Sequence, residues 1–150
     1  MKKSVIIISL ILIAAIAISV SLISLNSKTS KAILKQNSKY EQYLQGTIYG
    51  TDIITLINKS ISNNETNNVE KDKKGYYINN NTNSIQIDLV MITDEEKEKT
   101  TTYKMEAISK LGTTEFIKNF NIAEFKCTKK EYHSQTGQIA YIELSQQSEY

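Results

Sequence analysis

The chain has no proline, no tryptophan and no arginine, one cysteine, one histidine and five glycines in 150 residues. Each scarcity removes a class of chemistry. Arginine forks onto phosphates and base edges, so a chain whose 18 basic residues are all lysine carries no ready reader of nucleic acid. Charge agrees with that exclusion: beyond Leu25, 16 lysines stand against 16 acids, and a neutral balance leaves no footprint for a polyanion. Cys127 has no second cysteine to bond with, so no internal disulfide forms. It alternates with polar neighbours in Phe125-Lys126-Cys127, which predicts a small, buried apolar residue.

The single histidine narrows catalysis. A Ser/His/Asp hydrolase would have to use His133, which lies beside a turn, and no G-x-S-x-G is present. A cysteine nucleophile would pair Cys127 with His133. On one regular strand they share a face but sit about 20 Å apart at roughly 3.3 Å per residue, too far to exchange a proton. Zinc wants three or four spaced ligands, and one cysteine with one histidine fall short. The acidic stretch Asp94-Glu95-Glu96-Lys97-Glu98 lacks the alternating ligands and central glycine of a calcium loop, and reads as a solvated turn. No P-loop or G-x-G-x-x-G occurs. The expectation is a non-enzymatic chain with no catalytic residue, no cofactor and no metal. Three Asn-x-Ser/Thr matches (Asn58, Asn64, Asn80) are what an asparagine-rich chain shows by chance.

What the sequence does hold is an uncharged, almost wholly apolar run of 21 residues, Val5 to Leu25, entered from Met1-Lys2-Lys3-Ser4. As a helix rising about 1.5 Å per residue it reaches roughly 30 Å, the thickness of a bilayer's hydrocarbon core. Its serines, Ser9, Ser19, Ser21 and Ser24, can each bond back to a carbonyl one turn earlier. The lipid bilayer is therefore the first expected partner. The other reading is a cleaved secretory signal, with Ser19-Val20-Ser21 as the nearest small-residue site and release between about residues 21 and 27. The run is longer than an ordinary signal core, which favours a retained anchor. Lys2 and Lys3 argue for an inside amino end, and Lys28, Lys31, Lys35 and Lys39 pull the other way. Long following domains translocate largely regardless of charge, so the carboxyl domain is expected outside the cell membrane.

Beyond the run, Ile33, Leu34, Tyr40, Tyr43 and Leu44 recur at helical spacing among Lys, Gln and Glu. This predicts either the membrane helix continuing as a stalk or a second helix after a break near residues 26–30. Gly46 and Gly50 punctuate the chain. Thr51 or Asp52 then starts a helix to about Ser62, with Ile53, Ile54, Ile57 and Ile61 as its core stripe, ended by Asn63-Asn64. Glu65 to Lys74 reads as a solvated loop. From Gly75 the period drops to 2. Tyr76 to Ile78 and Ile85 to Ile92 read as a hairpin about the asparagine-rich residues 79–84, and Thr101 to Ile108 as a third strand. Thr113 or Thr114 caps a short helix bearing Phe116, Ile117 and Phe120. Ile122 to Tyr132 and Gln138 to Leu144 form a last hairpin, before a frayed tail.

The expected architecture is α+β: a transmembrane helix continuing into a stalk helix, then a small antiparallel sheet with one or two packed helices. The expected segments are a cytoplasmic tail (1–4), membrane helix (5–25), stalk and linker (26–50), extracytoplasmic domain (51–144) and frayed tail (145–150). Nine tyrosines can fill a core lacking tryptophan. Tyr40, Tyr43 and Tyr49, on or just after the stalk, are the candidate partner contacts, since tyrosine joins apolar area to a polar tip.

A charged start, an apolar helix extended as an amphipathic stalk and a small sheet resembles the layout of type IV pilins and pseudopilins. Tyr40-Glu41-Gln42-Tyr43, Gly50-Thr51-Asp52-Ile53-Ile54 and Leu56-Ile57-Asn58-Lys59 also look like single-anchor envelope proteins of clostridia-like bacteria, in keeping with the Asn, Ile, Lys and Tyr bias of low-GC coding. The chain departs from pilins in two places: no glycine precedes Gly46, and no acid precedes Glu41. The resemblance implies assembly with copies of itself or with other envelope proteins. It carries no functional residue across.

Overall fold

The computed structural model describes residues 2–94 and 99–148, with side chains throughout except at 2–16, 20, 23 and 94. The chain forms two compact units, Met1–Lys35 and Gln36–Tyr150.

The first unit lies within helix α1, Lys2–Glu41. No break occurs at residues 26–30, so of the two readings the continuing helix holds. Ser21 Oγ donates to Ala17 O at 2.8 Å and Thr29 Oγ1 to Leu25 O at 3.0 Å, which lets hydroxyls sit on an apolar helix without unsatisfied groups. Ile18, Leu22 and Leu25 are each 61% exposed. No helix among the described residues is long and apolar enough to cross a membrane. The side chains of 5–16, the larger part of the predicted anchor, lie outside those described.

The second unit is α+β. Strand β1 (Ile48–Tyr49) leads into α2 (Gly50–Thr66). The hairpin β2 (Gln86–Asp94) and β3 (Lys99–Lys104) follows, then α3 (Met105–Leu111) and α4 (Thr113–Phe120). The chain closes with β4 (Glu124–Tyr132) and β5 (Ile139–Gln146). The five described strands form one sheet in the order β1-β4-β5-β2-β3. Of the charged turn predicted at Asp94 to Lys99, Asp94 ends β2 and Lys99 begins β3, and residues 95–98 lie outside the described ones.

The sheet is mixed, which corrects the antiparallel expectation: β2 and β5 pair in parallel, Ile87 beside Ile142 and Leu89 beside Leu144. Period-2 alternation specifies which face a residue takes and says nothing of strand direction, and this pairing joins segments more than 50 residues apart. The predicted strand at Tyr76 to Ile78 reduces to one isolated bridge, Lys71 with Tyr77. Residues 79–84 are not a hairpin turn. Asn80 Oδ1 accepts from the backbone N–H groups of Thr82, Asn83 and Ser84 at 3.0–3.1 Å, a side chain replacing a ladder partner. The predicted strand Thr101 to Ile108 ends at Lys104 because Met105 and Ile108, both buried, recur at helical spacing. Gly112, at φ +95°, separates α3 from α4. Helix α2 begins after Tyr49 rather than at Thr51 or Asp52. Asp52 still serves it, because its carboxylate accepts from Tyr49 N–H at 3.3 Å. Residues from Gln36 onward, within the predicted stalk and linker, belong to the second unit.

The core lies on one face of the sheet. Ile87, Leu89 and Met91 of β2, Ile142 and Leu144 of β5 and Phe125 of β4 meet Ile53, Leu56 and Ile57 of α2, Met105 and Ile108 of α3 and Phe116 of α4. Gly50 lets α2 begin against the end of α4: a Cβ there would collide with the Phe120 carbonyl.

Candidate functional site

The predicted tyrosine contacts divide. Tyr40 and Tyr43 are 2% and 3% exposed, in the core of the second unit. They are core residues and present no contact surface. Tyr49 is 45% exposed. Burial pushes the Tyr40 hydroxyl up to about 12. That oxygen has no hydrogen-bond partner among the described residues, while the nearby Ser60 hydroxyl donates to Leu56 O at 2.9 Å.

The two residues tested for catalysis have structural partners. His133 is 3% exposed and its Nε2–H donates to Ser84 O at 2.7 Å, so the ring is committed to a main-chain carbonyl. Cys127 is half-buried in β4, and its thiol donates to Lys129 O at 3.5 Å. Burial pushes that thiol above its ordinary value, which lowers its thiolate fraction. Among the described residues no three His, Cys, Asp or Glu side chains gather to hold a metal.

Asparagines seal the starts of the two parallel strands. Asn64, buried in α2, donates to Ile85 O and accepts from Ile85 N–H, each at 2.8 Å. Asn37, from the last turns of α1, donates to Gly137 O and accepts from Ile139 N–H, each at 2.9 Å. A primary amide presents one donor and one acceptor in the geometry of a peptide group, so each asparagine completes the main-chain bonding of a strand's first residues. Sequence reading took Asn63-Asn64 as a helix stop. The missed signal is that Asn64 continues the i, i+4 spacing of the buried face through Leu56 and Ser60.

The other face of the sheet is polar. Tyr141 Oη lies 3.2 Å from both Asp88 Oδ2 and Glu143 Oε2, and Thr128 donates to Glu143 Oε1 at 2.8 Å. Lys104 stands 3.9 Å from Asp88. Partial burial and then the Asp88 and Glu143 charges hold the Tyr141 phenol well above its ordinary value. Asp88 Oδ1 is buried with no hydrogen-bond partner among the described residues, and the Lys104 ammonium is its counter-charge.

The feature that offers binding is an apolar cleft of about 340 Å³. It lies between the β2–β3 hairpin, which supplies Met91, Thr93 and Tyr103, and α3–α4, which supply Ala107, Ile108, Leu111, Phe116 and Phe120. Phe116 and Phe120 stack at 5.1 Å between centroids. Leu111 is 51% and Tyr103 37% exposed at the cleft, a large apolar surface for a small domain to leave wet. Sequence reading placed Phe116, Ile117 and Phe120 on one short helix. It could not see the cleft, because Tyr103, Leu111 and Phe120 converge only once the chain turns at Lys104.

No family model, curated protein or solved structure matches this chain.

Proposed function

We propose that the chain is a single-pass membrane protein of a bacterial envelope, anchored by residues 5–25, whose α+β domain works outside the membrane by binding and not by catalysis. The observation that carries the reading is the uncharged run from Val5 to Leu25, long enough as a helix to span a bilayer. The 61% exposure of Ile18, Leu22 and Leu25, apolar side chains left wet on the described part of α1, supports it. Binding in place of catalysis is supported by His133 Nε2 and the Cys127 thiol, each of which donates to a main-chain carbonyl, and by an open, largely apolar cleft. Pilin-like assembly with further copies is a narrower form of the same proposal.

The test is fractionation of bacterial cells producing the full chain, with the intact mass of the recovered protein. The proposal expects the uncleaved chain in carbonate-washed membranes, with its carboxyl domain digested by protease added outside the membrane. Recovery from the medium with a start near residues 22–28 would replace it with a released binding domain. Protection of the domain until the membrane is opened would reverse the orientation.

A further inference from the structure

We infer that Lys28, Lys31 and Lys35 form a one-sided stripe that binds anionic phosphate headgroups of the bilayer holding α1. The inference rests on the proposal that residues 5–25 are a membrane anchor, and adds to it a lipid class and the residues that select it.

Three observations carry it. First, charge is segregated along the chain. Residues 26–40 hold four lysines and no acid, whereas residues 41–150 hold 12 lysines and 16 acids. The neutral sum beyond Leu25 therefore hides a cationic stalk. Second, the lysines share a face. Helix α1 runs unbroken through Lys2–Glu41, and Lys28, Lys31, Lys35 and Lys39 follow one another at helical spacings, all exposed. Like charges at such spacings repel, and α1 holds no acid before Glu41 to offset them. Lys28, Lys31 and Lys39 form no ion pair among the described residues, and the Lys39 ammonium donates to the neutral Gln36 Oε1 at 2.8 Å. The counter-charge has to come from outside the helix.

Third, depth names its source. A rise of about 1.5 Å per residue sets Lys28 about 4.5 Å, Lys31 about 9 Å, Lys35 about 15 Å and Lys39 about 21 Å beyond Leu25. Headgroups fill roughly the first 5–7 Å outside the hydrocarbon core. Lys28 thus stands in that layer, and the flexible stem of Lys31 reaches back to it. Lys35 is about one Debye length away, roughly 8 Å at physiological salt, and Lys39 lies beyond. Lysine suits this task without arginine, because a compact, rotatable ammonium meets phosphate oxygens from any side. Phosphatidylglycerol presents an uncovered phosphate, whereas phosphatidylcholine covers the same phosphate with its own ammonium. The stripe therefore prefers the first, in whichever leaflet it emerges.

The test places the full chain in nanodiscs of equal phosphatidylglycerol and phosphatidylcholine, releases it in a mass spectrometer and counts the lipids that stay bound. Phosphatidylglycerol should be favoured about fivefold or more. The combined variant Lys28→Gln, Lys31→Gln and Lys35→Gln should lose at least half of that preference. Glutamine sustains a helix about as well as lysine, and Lys2 and Lys3 contribute alike to both chains. A pulse of a neutral acetylating reagent then reads depth, since an anionic neighbour keeps an amine protonated and unreactive. Going from phosphatidylcholine discs to phosphatidylglycerol discs, acetylation of Lys28 and Lys31 should slow about threefold or more, with Lys39 unchanged. Equal retention of the two lipids, a variant that keeps more than half of the preference, or equal slowing from Lys28 to Lys39 would each overturn the inference. So would inorganic polyphosphate that slows all four lysines where phosphatidylglycerol slows none, since the stripe would then serve a soluble polyanion. A chain that does not enter the discs fails the anchor and this inference with it. A chain that enters them and shows no lipid preference fails only the stripe.

Discussion

The starts of the central parallel strands and the far end of β2 meet the same problem with opposite chemistry. At the starts, Asn37, Asn64 and His133 bring polar side chains to main-chain groups that have run out of strand partners. At the far end, Met91, Leu111, Phe116 and Phe120 surround space and no polar group fills it. A buried peptide group left unpaired costs about 1–3 kcal/mol, so the first region is closed by necessity. An apolar wall left wet costs only the burial it forgoes, so the second region can stay open at modest expense. The difference separates a part of the domain built to hold from a part free to bind.

The sharpest way to break this comparison is Asn64→Leu. It keeps approximate volume but orphans both the N–H and the C=O of Ile85, so a loss of about 3–4 kcal/mol is expected in urea denaturation. A loss under about 1 kcal/mol would show that the asparagine seal is decorative. Gly50→Ala acts on the cleft side. Its methyl group would meet the Phe120 carbonyl, so α2 and α4 must part, with an expected cost of about 2 kcal/mol, read as a lower melting temperature.

A subtler contrast uses pH. Burial raises the Tyr40 hydroxyl from 10 to about 12 in the folded chain, so its titration leaves stability unchanged below about pH 10 and lowers it as pH climbs toward 12. Tyr40→Phe should be near neutral at pH 7, where the hydroxyl has no hydrogen-bond partner, and should flatten the wild-type decline between pH 10 and 12. Parallel declines in the two proteins would mean that Tyr40 is not the group being titrated. The smallest expected effect on folding is Leu111→Asp, within about 0.5 kcal/mol because the side chain is half exposed. A cleft residue and a sealing residue should therefore separate cleanly: Asn64→Leu destabilises the fold, and Leu111→Asp leaves it nearly unchanged while placing a charge in the cleft.

Much of this domain was legible in the sequence, for reasons that particular residues make plain. Helix α2 shows in Ile53, Ile54, Ile57 and Ile61, α4 in Phe116, Ile117 and Phe120, and the β4–β5 hairpin in two alternating runs about Gly137. These are local periods, and local periods survive folding. The parallel pairing of β2 with β5 was not legible, because nothing within either strand records its neighbour's direction. Met105 was misplaced for another reason: it is buried whether the segment is strand or helix, and only Ile108 three residues later tells the two apart. The tyrosines show the same limit. Tyr40 and Tyr43 have the composition of a contact surface and the burial of a core, and amphipathic spacing alone cannot rank the two. The cleft lay beyond reach because it is a space between elements, bounded by residues from four of them.

The comparison is tested most directly by placing a photo-cross-linking amino acid at Leu111, in the cleft, and separately at Lys126, on the opposite face of the sheet, in intact cells producing the full chain. The account predicts a discrete adduct from Leu111 and none from Lys126. Adducts of equal yield from both positions, or none from Leu111, would contradict it.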